Sequence, residues 1–123
     1  MAAEVVYPKQ SQPPELLREC LERVHFDRDR LRDLCRASGI SRLEIFGSAL
    51  RKDFHKGSDI DLLATLRPEA HPTLLDWVDI QQKLSEVFRR PVDLLSRRAV
   101  ERSQNPYRRS AILSTTVPVY VEG

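Results

Sequence analysis

Apolar positions recur along this 123-residue chain with two different periods, and the changes of period mark out its elements. The opening MAAEVVYPKQSQPP is aperiodic and carries three prolines, so residues 1–14 read as a flexible N-terminal arm. Pro14 suits the first turn of a helix running to about His25, with Leu16, Leu17, Leu21 and Val24 on one face. Asp27 is an N-cap for a second helix through about Ala37, carrying Leu31 and Leu34, and Gly39 marks its end. The pattern then switches to alternation. SRLEIF, with Leu43 and Ile45 on one side, predicts a first strand, and DIDLLATL (59–66) a second. Pro72 opens a longer helix to about Phe88, with Leu74, Leu75, Val78, Leu84 and Val87 as its apolar positions. PVDLLS (91–96) predicts a third strand. Asn105-Pro106 caps a short helix through Leu113, and TVPVYV (116–121) reads as a last strand. This order predicts a small α+β (α/β) domain over 15–123, with helices against a sheet of three to four strands.

Composition narrows the class. Apolar content of 41% and charged content of 31% fit a globular chain rather than a disordered one. A net charge of +2 does not by itself argue for nucleic acid, and direct nucleic-acid binding is not expected. The charge is uneven, however: between Arg89 and Arg109 seven arginines face only Asp93 and Glu101, a local excess of +5. That stretch is either a solvated face or a surface for phosphates or an acidic partner. Cys20 and Cys35 form neither a disulfide framework nor a metal-ligand cluster and read as reduced thiols. With no leader-like apolar segment and no apolar run of membrane-spanning length, a cytoplasmic protein is expected.

The candidate chemistry lies in FGSALRKDFHKGSDIDLLATL, residues 46–66. Side chains alternate in a strand, so Asp59 and Asp61 project from one face, about 6.5–7 Å apart along the chain. Ile60, Leu62 and Ala64 then point to the core, while Leu63 and Thr65 continue the aspartates' face. Two adjacent carboxylates repel, and a divalent cation resolves the repulsion; oxygen-only ligation favours Mg²⁺ or Mn²⁺. Gly47 permits a sharp turn and close approach of backbone to a ligand, and Ser48 adds a hydroxyl. Exposed N–H groups at such a turn suit phosphates. Asp93, in a strand whose Val92 and Leu94 face the core, falls on the opposite face, as do the two aspartates. Taken singly, these features have ordinary explanations: a turn, a solvated strand face, a polar residue on an edge strand. Their order and spacing point to phosphoryl or nucleotidyl transfer.

Gly47-Ser48, ten residues, Asp59-Ile60-Asp61 and then Asp93 on a later strand resemble the pattern of the polymerase beta-like nucleotidyltransferase superfamily. The short chain resembles its minimal nucleotidyltransferase (MNT) members, and LEIFGSALR, SDIDLL, PVDLL and NPYRRSAIL…VPVYV extend the likeness over about residues 28–121. The resemblance implies the nucleotidyltransferase fold, a small mixed sheet of about four strands. It implies that Asp59, Asp61 and Asp93 are catalytic and hold two Mg²⁺ ions, Asp93 also helping to deprotonate the attacking hydroxyl. Gly47, Ser48, Arg51 and Ser58 would bind the nucleotide, with a surface ion pair as the other reading of Arg51. Lys52 stands where many members have glycine, which alters the loop rather than the metal ligands.

Such proteins commonly pair with a HEPN-domain toxin, so the resemblance implies an antitoxin that moves AMP from ATP to a hydroxyl of its partner, a tyrosine above all. A non-catalytic antitoxin that works by binding is the alternative from another class. Small-molecule nucleotidyl transfer is a third, weakened by the lack of room for an acceptor domain. Elsewhere, His25, His55 and His71 are scattered, and Trp77 suits packing in a core or at a partner interface. Of Tyr7, Tyr107 and Tyr120, as self-modification sites, only Tyr7 on the arm is expected to be reachable.

Overall fold

A computed structural model of the protein describes residues 24–47 and 59–122. The expected first helix lies outside these residues except at its end, where Val24 and His25 are not helical. The chain then runs through α1 (Arg28–Ser38), β1 (Ile40–Phe46), β2 (Ile60–Leu66), α2 (Leu74–Phe88), β3 (Val92–Ser96), α3 (Arg97–Glu101), α4 (Pro106–Leu113) and β4 (Val117–Val121). The four strands form one mixed sheet in the order β3-β2-β1-β4. β1 is antiparallel to both β2 and β4, whereas β2 and β3 run parallel.

Local chemistry explains the boundaries. The Asp27 carboxylate accepts from the backbone N–H of Asp29 and Arg30, which opens α1. Gly39 closes it in the left-handed conformation at φ +77°, its N–H donating to the carbonyls of Arg36 and Cys35. Helix α2 starts two residues beyond Pro72, on a reciprocal box at its N-cap Thr73: the Thr73 hydroxyl accepts from the Asp76 N–H at 3.1 Å, and the Asp76 carboxylate accepts from the Thr73 N–H at 3.0 Å. Those bonds from Thr73 hold the Asp76 carboxyl below the usual carboxylate range, so the box is ionised at neutral pH.

Both faces of the sheet are used. On one, Leu31 and Cys35 of α1 and Ile80, Leu84, Val87 and Phe88 of α2 pack against Leu43, Ile45, Ile60, Leu62, Ala64, Val92 and Leu94. On the other, Phe46 and Leu63 are covered by Val100 of α3 and Ile112 of α4. A register irregularity between Leu43 and Glu44 in the β1–β4 ladder accompanies a break in alternation on β4, where consecutive Val119 and Tyr120 are both buried.

Helix α2 also closes the outer edge of β3. The Ser85 hydroxyl accepts from the Val92 N–H, the Gln81 side chain accepts from the Leu94 N–H at 2.9 Å, and the Trp77 indole donates to the Leu94 carbonyl at 3.2 Å. An exposed strand edge would otherwise offer these groups to a neighbouring chain.

Three expectations are corrected. Leu74, Leu75 and Val78 do not face the core but are 79%, 81% and 42% exposed; Trp77, Ile80 and Phe88 supply the packing with Leu84 and Val87. The helix α3 was not expected. Five residues are too few to display a period, and it rests on the Ser96 hydroxyl accepting from the Ala99 N–H and on burial of Val100. Tyr107 is 86% exposed in the first turn of α4 and so is reachable, contrary to expectation, whereas Tyr120 is fully buried; Tyr7 lies outside the described residues.

The core position of Cys35 has a chemical consequence. Burial pushes its thiol up to about 12, and the thiolate is the reactive form. In a Cys20→Ser background, labelling of Cys35 by a thiol reagent is expected to be slowed roughly a hundredfold or more relative to the unfolded chain, rising together with the denaturation curve. Fast labelling well before the unfolding transition would contradict the packing described.

Candidate active site

The site begins with strand register. Asp61 pairs with Asp93 across the parallel β2–β3 ladder and with Phe46 across the antiparallel β1–β2 ladder. Register partners share a face and neighbouring strands lie about 4.7–4.9 Å apart, so the two carboxylates stand side by side. Ile60, Leu62, Val92 and Leu94 take the opposite face and are buried, which forces Asp61 and Asp93 outward to the α3/α4 side. Asp61 is half-buried and Asp93 exposed. Asp59 lies one residue before β2 rather than within it, exposed, two positions upstream of Asp61.

Gly47 closes the group. It follows directly on β1 with φ +72°, a conformation that side chains resist, and a Cβ built on it would lie 2.4 Å from Asp61 Oδ2. The carboxylate of Asp61 therefore occupies the space that any other residue at 47 would fill. Ser48, Arg51 and Ser58 lie in 48–58, outside the described residues.

One row further along the same face the character changes. Leu63 pairs with Leu95 and with Glu44, and Leu63 is fully buried. The position next to Asp61 on that face is thus sealed. Glu44 is the single buried charged residue among those described, 1% exposed. One of its oxygens accepts from Arg97 Nη2 at 2.6 Å and the other from the Thr116 hydroxyl at 2.8 Å, with Arg42 Nε at 3.4 Å. Alternation alone places Glu44 on the polar side of a strand and gives it no further role. Its only signal in the sequence is an acid flanked by apolar residues in an otherwise amphipathic run.

This network also sorts the arginine-rich stretch. Arg97 is committed to Glu44, and Arg109 donates to the Ser103 carbonyl at 2.9 Å. Arg89 stands in the left-handed conformation at the end of α2. Two of the seven arginines are thus engaged within the fold, while Arg89, Arg98, Arg102 and Arg108 are exposed. His25 and His71 are exposed, and His55 lies outside the described residues.

Among the described residues, no three His, Cys, Asp or Glu side chains converge as a ready-made metal cluster. The available donors are nonetheless hard carboxylate oxygens, two of them in adjacent register with Gly47 leaving a side-chain-sized gap filled by Asp61. That donor chemistry fits Mg²⁺ or Mn²⁺ and not a soft metal. No helix among the described residues is long and apolar enough to cross a membrane.

A parallel carboxylate pair beside a side-chain-free turn, on a four-stranded mixed sheet, is the arrangement of a nucleotidyl-transferring domain. The family model of the nucleotidyltransferase domain matches residues 28–119, and the chain belongs to that family. Among solved structures it is similar to a candidate minimal nucleotidyltransferase, at 30% identity and a TM-score of 0.53, over 70% of this chain and 82% of that one. Two toxin–antitoxin structures share the fold. One was solved with AMP-PNP (19% identity, TM-score 0.57, 75% of this chain and 71% of the other). The second is a mutant of the toxin–antitoxin pair MntA–HpeT (17% identity, TM-score 0.55, 75% and 70%). No curated protein matches the sequence.

Proposed function

We propose that this chain is a Mg²⁺-dependent adenylyltransferase that moves AMP from ATP to a tyrosine hydroxyl of a HEPN-domain toxin and so serves as the antitoxin. The observation that carries this reading is the lateral pairing of Asp61 with Asp93 against Gly47. Family membership supplies the reaction class, and the two toxin–antitoxin neighbours support the partner and the nucleotide.

In this reading Asp59, Asp61 and Asp93 hold two Mg²⁺ ions. Bound Mg²⁺ would neutralise the triphosphate and make its α-phosphorus open to attack. The acceptor oxygen bonds to the α-phosphorus, the α–β bridging bond breaks, and pyrophosphate leaves. Asp93, the more exposed of the paired carboxylates, takes the hydroxyl proton on a carboxylate oxygen. Gly47 leaves room for the Asp61 carboxylate beside a backbone that would face the phosphates, and Ser48, Arg51 and Ser58 would complete the nucleotide contacts. Leu63 and the helices over it close the floor behind the aspartates, which keeps bulk water to one side.

Intact-mass spectrometry of the chain with a co-expressed HEPN toxin, before and after ATP and Mg²⁺, tests the proposal. A gain of one or more adenylyl units on the toxin is expected. A stable complex with no mass gain would instead favour an antitoxin that acts by binding alone.

Two glycines give an internal control. Gly39→Ala and Gly47→Ala both force a side chain into left-handed backbone, at φ +77° and +72°. The new Cβ meets Ala70 Cβ at 2.7 Å in the first case and Asp61 Oδ2 at 2.4 Å in the second. Gly39→Ala is expected to lower stability by roughly 1–3 kcal/mol with ATP binding unchanged. Gly47→Ala is expected to weaken Mg²⁺–ATP binding by about tenfold or more, measured by calorimetric titration. Equal affinity in Gly47→Ala and the parent chain would remove Gly47 from the nucleotide site.

A further inference from the structure

Helix α2 carries two apolar arcs. At 100° per residue Trp77, Ile80, Leu84, Val87 and Phe88 fall together on the side packed against the sheet. Leu74, Leu75 and Val78 fall together on a different side, and they are three of the four large exposed hydrophobics among the described residues. Single exposed leucines are ordinary, but a contiguous apolar ledge marks an interaction surface.

The fold does not need this ledge. The end of α2 is held by the Thr73–Asp76 box and by the bonds that Trp77 and Gln81 make to either side of Leu94. The helix end that carries the ledge is therefore tied to β3, the strand that carries Asp93. A partner held there would sit at a fixed offset from the candidate active site.

Charge selects the kind of partner. Although the chain is +2 overall, α2 carries Asp76, Asp79 and Glu86 against Lys83 alone, and Lys83 is bonded to Asp79 at 3.0 Å. Glu69, also exposed, shares with Asp76 and Asp79 the adjoining cavity of about 530 Å³. Of the bases in that cavity, Arg67 is bonded to Glu122 and Lys83 to Asp79, which leaves Arg36 and His71 beside Glu69 and Asp76. A second copy docked face to face would set one acidic helix against another, which costs affinity.

We infer that Leu74, Leu75 and Val78 form the docking face for the protein on which this chain acts, a partner surface with an apolar centre and a lysine- or arginine-bearing rim. The inference rests on the reading that the chain acts on a protein, but not on the chemistry of the transfer.

Two synthetic helical peptides serve as probes, each with a leucine stripe, one flanked by lysines and the other by glutamates. Fluorescence anisotropy is read with the full chain, Leu75→Asp, Leu74→Gln and Asp61→Asn. The lysine peptide is expected to bind the parent chain and Asp61→Asn equally, and each ledge variant roughly tenfold or more weakly. The glutamate peptide should bind the parent chain at least about tenfold more weakly than the lysine peptide. Both ledge positions are exposed, so the variants should melt with the parent chain, and ATP binding should be unchanged. Failure of the lysine peptide to bind, equal binding of the two, or undiminished binding by both ledge variants would overturn the inference. Self-association of the parent chain in sedimentation velocity, abolished by Leu75→Asp, would assign the ledge to a second copy and overturn it as well. Loss of AMP transfer in Asp61→Asn with peptide binding intact separates the docking face from the reaction.

Discussion

Asp61→Asn is expected to reduce AMP transfer to the toxin by on the order of a thousandfold or more while leaving stability within about 1 kcal/mol of the parent chain. The two halves of that expectation have one cause. Asp61 stands beside Asp93 in register, half-buried, and its carboxylate fills the gap left by Gly47. Removing one of two adjacent negative charges relieves the repulsion between register partners, which offsets contacts that the amide makes less well. The same removal takes away a hard oxygen charge on which Mg²⁺ binding would depend. A structural aspartate behaves in the opposite way, since its loss lowers the melting temperature and leaves chemistry alone. Single-turnover transfer and thermal denaturation of Asp61→Asn and Asp93→Asn, measured side by side, decide the matter. Transfer within tenfold of the parent chain in both variants would sink the assignment of the metal-bearing face.

The second large effect is one of stability, and it falls on Glu44. Its carboxylate is almost wholly buried and is matched by Arg97 at 2.6 Å and the Thr116 hydroxyl at 2.8 Å. Cutting one member out of a buried ionic group leaves the others uncompensated, so Glu44→Ala is expected to cost about 3–5 kcal/mol in chemical denaturation. Glu44→Gln keeps the shape and an acceptor for Thr116 but leaves Arg97 without its counter-charge, and a loss of about half that size is expected. A pairing that added little would show as a loss under about 1 kcal/mol in Glu44→Ala. Because Arg97 follows immediately on β3, loosening it frees the end of the strand that bears Asp93. Any fall in transfer by the folded variant should then be smaller than that of Asp93→Asn itself.

Much of the site is legible in the sequence because it is written in short-range alternation. Asp61 and Asp93 sit among residues apolar enough to be buried on the other face, and a strand period of two leaves these carboxylates only one direction to point. Asp59 lies one residue before β2 and outside that period. Helix starts and stops are legible for the same reason: Asp27, Asn105 and Gly39 act on backbone groups within three or four residues of themselves. Helix α2 shows where this stops. Its sequence contains two apolar arcs, and periodicity reports that both exist without saying which has a sheet to pack against. Glu44 shows it again, since its two hydrogen-bond partners, Arg97 and Thr116, lie 53 and 72 residues away in the chain.

The order of residues along the chain is enough to set most of the elements, the outward face of Asp61 and Asp93 and the reaction class they suit, because those depend on neighbours one to four residues apart. Packing of the folded sheet is what makes Asp61 and Asp93 register partners, fills the space at Gly47 with a carboxylate, and turns Glu44 into a buried anchor. It also leaves Leu74, Leu75 and Val78 facing water. Each of those facts depends on how segments far apart in the chain meet. Local propensity carries no information about which distant surface arrives, and the packing of the whole sheet does.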